Sequence, residues 1–299
     1  MFYRSYWENQ FRAWAKPPTK TEEYKREDAT IGVKSAVLAF LPFKDKDISV
    51  FVRGSYKNGT SVRIANDVDV CVCCSNSIAY ELSDGGKPAD YGLSEEPATY
   101  TYKRFKADVE LALKQYFGLW TVFRGNKVFD VHGTTRRVDA DVVACFEYRS
   151  YHDRSNYDTG IAFLTDTNHG IVNWPKQDYE KGCLKDEQTG GKYKKIVRVL
   201  KSLRDVLAAH GAYKIPIGSS FLIECLVSNI PNENFGYDRY VDDVWAVLAY
   251  LFNNTLTADK CKDWVEVNGR RYLLRSGGQW TIENALGLIS DLWDFVGFE

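Results

Sequence analysis

The strongest constraint on this 299-residue chain is the way two strand-like runs are joined. Ile48 to Val52 and Val68 to Val72 are rich in β-branched residues, and the turn region between them opens with Gly54 and Ser55 and closes on Asp67. Side chains alternate along a strand, so Asp67 and Asp69 share one face while Val68, Val70 and Val72 share the other. Two carboxylates side by side repel unless a counter-charge lies between them, and magnesium, a hard cation that takes carboxylate oxygens, is the usual one. Gly54 permits close backbone approach, and Ser55 offers a hydroxyl to a phosphate oxygen. A further extended stretch, Arg137 to Phe146, carries Asp139 and Asp141 on one face. Either would complete a two-ion phosphoryl-transfer site, and a period of two does not choose between them. A metal-free pair of strand-end carboxylates is the plain alternative for Asp67 and Asp69 alone; the preceding strand with Gly54 and Ser55 argues against it.

Other classes of chemistry find little support. The 39 Lys and Arg nearly cancel the 40 Asp and Glu, leaving a formal charge of -1, so no global field draws the chain to nucleic acid or anionic lipid. The apolar run from Ser35 to Leu41 is far below the roughly 20 residues that cross a bilayer, and the N-terminus lacks a secretory signal pattern. No membrane partner and a cytoplasmic location are therefore expected. Seven cysteines, with Cys71, Cys73 and Cys74 close together, suit reduced thiols buried in a strand better than a disulfide framework or a zinc site with paired spacings. His132, His152, His169 and His210 show no metal spacing, and neither a G-x-x-x-x-G-K-[ST] nor a G-x-G-x-x-G motif occurs.

Along the chain, Thr19 and Glu22 form a capping-box pattern that predicts a helix running toward Leu41. Residues from Ser75 to Thr99 read as a surface insertion, and Tyr102 to Phe117 as an amphipathic helix. Extended stretches are expected at Trp120 to Phe123, Lys127 to Val131 and Arg137 to Phe146. Beyond about Tyr151 the pattern turns helical, at Tyr193 to Ala209, Ser219 to Asn229, Arg239 to Asn254 and Thr281 to Phe295, with an Asn268-Gly269 hairpin signal. The fold class expected is α+β, with a mixed sheet and helices in residues 1–155 and a mainly helical domain in 156–299.

Gly54-Ser55, then Asp67-Val68-Asp69, then a strand-borne Asp downstream resembles the DNA polymerase beta-like nucleotidyltransferase superfamily. The segment Asp141, Val142, Val143, Ala144, Cys145, Phe146 looks like the D-V-V-P-A-F segment of the bacterial cGAS/DncV-like nucleotidyltransferases, which are similar to animal cyclic GMP-AMP synthase and oligoadenylate synthase. This resemblance favours Asp141 as third metal ligand; Ala144 departs from the family's proline. It implies a nucleotidyltransferase sheet with a C-terminal helical domain and an active site in the cleft between them. It also implies two Mg2+ or Mn2+ ions on Asp67, Asp69 and Asp141, with Asp141 assisting deprotonation of the acceptor hydroxyl.

Lys194, Arg198 and Lys201 follow helical spacing as one basic stripe, while Ile196, Val199, Leu200 and Leu203 can face a core. Such a stripe is otherwise a solvated face. About a helix's length later comes Gly218-Ser219-Ser220-Phe221. In the family a helix lysine and a following serine bind the donor triphosphate and an adjacent aromatic stacks on its base, a pattern that Lys201, Ser220 and Phe221 match, with ordinary core packing as the alternative for Phe221. Arg198 accompanies them on the stripe, and Asn173, just before Trp174 and Pro175, carries an amide able to meet a base edge.

The resemblance implies that nucleoside triphosphates are joined into a cyclic di- or trinucleotide with release of pyrophosphate, as in bacterial antiphage signalling. A downstream effector would read the product. No DNA requirement is expected, and conjugation of the C-terminus by ubiquitin-like machinery is left open by Val296 to Glu299. The same carboxylates would also serve transfer to an aminoglycoside, a protein or an RNA end, or survive in a nucleotide-binding regulator.

Overall fold

The computed structural model describes residues 3–63, 67–96, 98–211 and 220–298. The chain forms two compact units, one comprising Thr19–Lys57 and Asn66–Lys176, the other Met1–Pro18, Asn58–Ala65 and Gln177–Glu299.

The first unit is built on a seven-stranded mixed sheet. Helix α2 (Lys20–Ala39) begins at the capping box read from the sequence, with the Thr19 side chain on the Glu22 N–H and the Glu22 carboxylate on the Thr19 N–H. Strand β1 (Ile48–Val52) pairs antiparallel with β2 (Asp67–Glu81), and β2 pairs parallel with β5 (Asp139–Tyr151). Beyond β5 lie the short hairpin strands β4 (Phe129–Val131) and β3 (Val122–Arg124). Val68, Val70 and Val72 pack with Ala140, Val142 and Ala144 against α2 and α4 (Tyr102–Phe117), where Val33, Phe105, Val109 and Leu113 are fully buried. The opposite face buries Cys71, Cys73, Val143 and Cys145 in a smaller cluster with Ile161 and Phe163. All seven cysteines are free thiols.

Two expectations are corrected. The segment from Ser75 is not wholly an insertion, because β2 continues to Glu81. The strand β5 outlasts Phe146, so its residues Glu147 to Ser150 offer ladder partners to Ile78 through Glu81 after a register shift beyond Cys74. Nor is the region after Tyr151 helical at once. Strands β6 (Tyr157–Leu164) and β7 (Gly170–Asn173) continue the sheet on the extended end of β5, so sheet residues run past 155. A partner strand, rather than local alternation, specifies these stretches.

The second unit is helical. The helix α1 (Arg4–Trp14) buries Trp7 and Phe11 in a core shared with α6 (Tyr193–Ala209), α7 (Ser220–Ser228), α8 (Tyr240–Thr255) and α10 (Ile282–Val296). Helix α5 (Pro175–Gln188) precedes α6. The Asn268-Gly269 turn is present, with Gly269 at φ 70° and a bridge between Val265 and Tyr272. Among the described residues, no helix is long and apolar enough to cross a membrane.

Candidate active site

The parallel register of β2 and β5 aligns Asp67 with Asp139 and Asp69 with Asp141. On the other side of β5, Asp130 of β4 stands directly opposite Asp141. Three strands thus bring carboxylates onto one face of the sheet, the face that farther along carries Cys71, Cys73 and Cys145. Asp141 is the most perturbed. Burial first, then the charges of Asp69, Asp67 and Asp130 and a hydrogen bond with Asp130, push its carboxyl up to about 7. Asp139 is occupied differently, since its Oδ1 accepts the Gly133 N–H at 2.6 Å and so closes the turn before β5. That difference separates two carboxylates that spacing leaves equivalent, and it supports Asp141. Asp130 was missed because a three-residue strand leaves too little alternation to show its face.

The fit to a divalent cation rests on this electrostatic strain. Clustered carboxylates that repel one another are a donor set that a hard cation relieves, and oxygen ligands suit magnesium or manganese. Among the described residues, no three His, Cys, Asp or Glu side chains already stand as a ready-made cation cage. The register supplies the neighbouring carboxylates.

Gly54 turns the chain from β1 into the short helix α3 (Gly54–Asn58) at φ +69°, in the left-handed region that favours glycine. A Cβ at this position would strike the Asp69 carboxylate. Ser55 follows within α3. Arg53, the residue before Gly54, donates its backbone N–H to the Asp69 carbonyl at 3.0 Å, and its guanidinium lies 3.6 Å from an Asp69 carboxylate oxygen. In the amide orientation that satisfies both groups, the Asn173 side-chain oxygen accepts from Arg53 Nη1 at 2.9 Å and its nitrogen donates to the Val172 carbonyl at 3.0 Å. Asn173 is therefore oriented by Arg53, a residue whose only sequence signal is a cation at the end of an apolar run.

In the helical unit the basic stripe lies largely in the interior. Arg198 and Lys201 are not on a solvated face but only 5% and 2% exposed. The Arg198 guanidinium donates to the Ala15 and Gly59 carbonyls, so it joins chain segments. The Lys201 ammonium lies 2.5 Å from the Glu224 carboxylate and donates to the Thr60 carbonyl at 3.2 Å. Its charge is neutralised within the protein. Periodicity places both on a common face of α6, but only the packed partners show that this face is interior. The Gly218-Ser219 start of the serine motif lies outside the described residues. Ser220 accepts from Arg204 Nη1 at 3.1 Å, and Phe221 is half-buried with its ring centroid 5.9 Å from that of Trp280. Arg204, one turn beyond Lys201, was not singled out by the motif.

A family described as the cGAS/DncV-like nucleotidyltransferase C-terminal helical domain matches residues 180–297. Over 97% of its length the chain is 38% identical to the cyclic dipyrimidine nucleotide synthase CdnE of Legionella pneumophila, of which the match covers 98%. It belongs to the cGAS/DncV-like nucleotidyltransferases. Membership makes it a nucleotidyltransferase with the mixed sheet and C-terminal helical domain described above. Solved relatives agree along the whole chain. The CdnE cyclic dinucleotide synthase of Elizabethkingia meningoseptica, with GTP and Apcpp, superposes with a TM-score of 0.81 at 32% identity, covering 97% of this chain and 99% of that one. The CdnE c-UMP-AMP synthase of Rhodothermus marinus, with Apcpp and Upnpp, gives 0.82 at 30% identity and 98% coverage of both. These relatives' names carry different base combinations, so membership alone leaves base choice open.

Proposed function

We propose that this chain joins nucleoside triphosphates into a cyclic di- or trinucleotide. The observation that carries the reading is the register that sets Asp67 and Asp69 beside Asp141 behind the Gly54 turn. In each transfer a ribose hydroxyl oxygen bonds to an α-phosphorus, the bond from that phosphorus to the bridging oxygen breaks, and pyrophosphate leaves with the electron pair. The hydroxyl proton goes to Asp141. A second transfer, with the linear product turned round, closes the ring. Bound on Asp67, Asp69 and Asp141, magnesium or manganese, as two ions, would neutralise the triphosphate and lower the pKa of the acceptor hydroxyl.

Catalysis of this kind is positioning and charge neutralisation more than covalent chemistry. Gly54 and Ser55 present backbone and hydroxyl to phosphate oxygens. On the helical unit, Ser220 with its Arg204 partner is the candidate phosphate contact, and Phe221 the candidate stacking ring. Lys201 acts by holding Glu224 and Thr60. Asn173 offers its amide to a base edge. The product would act on an effector in antiphage signalling, and no duplex nucleic acid would be needed for activity.

The test is incubation with all four ribonucleoside triphosphates and magnesium or manganese, then phosphatase treatment and mass spectrometry. A resistant species with the mass of a cyclic di- or trinucleotide is expected, absent from the Asp67→Asn/Asp69→Asn protein. Product from that variant, or transfer seen only with an added aminoglycoside, protein or RNA, would overturn the reading.

A further inference from the structure

We infer that Arg53 is a positioning residue that ties the carboxylate of Asp69 to the amide of Asn173, so that rate and base choice depend on one guanidinium. The inference rests on the nucleotidyl-transfer reading of the site. Arg53 continues β1 opposite Asp69, on the same face as the carboxylates, and its backbone N–H already holds the Asp69 carbonyl. Its side chain is only 17% exposed, yet it carries a full charge. Burial works against that charge, while Cys71, Asp69, Cys145 and Asp141 around it hold the guanidinium above its ordinary value.

The geometry of its donors is informative. Nη1 is committed to Asn173 at 2.9 Å, at full hydrogen-bond strength. Nη2 stands 3.6 Å from Asp69 Oδ1, close enough to offset its charge but too far to occupy a lone pair. The Nε–H, buried, has no hydrogen-bond partner among the described residues. A guanidinium placed only to stabilise the fold would form the short, forked pair that arginine makes best with a carboxylate. Here one arm fixes the orientation of Asn173 and the other balances Asp69 at a distance. A lysine could balance the charge, but a single ammonium on a flexible stem cannot fix both groups.

The experiment compares Arg53→Met, Arg53→Lys, Asn173→Ala and Arg53→Met/Asn173→Ala with the unaltered chain. It reads kcat and KM, the half-saturating manganese concentration, the base composition of the product from an equimolar mixture of four triphosphates, and Tm. Misplacing a group at such a site costs about tenfold to a hundredfold, so Arg53→Met should lose that much in kcat and shift the manganese requirement. It should also relax base composition to the same extent as Asn173→Ala, with no further relaxation in the double variant. Arg53→Lys should recover rate and manganese dependence relative to Arg53→Met while base composition stays relaxed. Base composition unchanged in Arg53→Met, additive effects in the double variant, or recovery of both properties by lysine would each overturn the proposal. So would losses that follow Tm alone. Failure of the underlying reading shows separately, as absence of metal-dependent transfer by the unaltered chain.

Discussion

Lys201 and Glu224 should behave as a buried structural pair, and a double-mutant cycle measures it. Lys201 is 2% and Glu224 4% exposed at the side chain, with 2.5 Å between the charged atoms. Thr60 donates its hydroxyl to the same carboxylate at 2.7 Å, and Asn58 donates to the other oxygen at 3.4 Å. Removing one charge leaves the other dehydrated and unpaired, which costs about 3–5 kcal/mol, whereas replacing both with neutral groups of similar volume is often near neutral. Lys201→Met and Glu224→Gln should therefore each lower Tm by about 10 °C at this chain length. The double variant should regain most of the loss, giving a coupling of about 2 kcal/mol or more. The assay is denaturant and thermal unfolding followed by circular dichroism, with turnover measured well below each Tm. If Lys201→Met leaves Tm within about 2 °C of the parent, the single effects add and turnover is abolished, the lysine serves substrate directly and the structural assignment is refuted.

Two further predictions follow from the site and from the helical unit. Gly54→Ala should abolish turnover, because the left-handed backbone alone costs about 1–2 kcal/mol and the added Cβ displaces the Asp69 carboxylate; turnover within threefold of the parent would refute it. In the helical unit Asp178 is pushed up to about 7, by burial first and then by the charges of Glu224 and Glu266, against a hydrogen bond from Asn268 that favours its charged form. Its folded state thus holds a proton that the unfolded chain has released, so stability from this group is present below about pH 4 and is lost as pH rises through about 7. Asp178→Asn should keep the Asn268 contact and flatten that slope, raising stability at pH 8 by up to about 4 kcal/mol. An unchanged slope in chemical unfolding between pH 4 and 8 would refute the assignment.

Much of the catalytic sheet was readable from local pattern. The capping box starts α2 where Thr19 and Glu22 place it, and the alternation of Asp67, Asp69 and the valines sorts charge and core onto opposite faces. The Tyr102–Phe117 helix likewise follows from its apolar spacing. These features depend on near neighbours, and the periods of helix and strand express them directly. Asp141 was reached only through a family likeness, since the same period admits Asp139.

What the three-dimensional fold decided is everything that depends on a partner distant in sequence. The continuation of β2 to Glu81 and the presence of β6 and β7 rest on ladder partners along β5. Asp130 joins the carboxylates because an antiparallel neighbour sets it opposite Asp141. Arg53 becomes informative only when Asp69 and Asn173 lie on either side of it. Arg198 and Lys201 carry the charge and spacing of a ligand-binding stripe, yet carbonyls of Ala15, Gly59 and Thr60 and the carboxylate of Glu224 take up their donors. Periodicity tells which side chains share a face, but the free energy of a charge depends on what lies across from it, and only the packed chain supplies that.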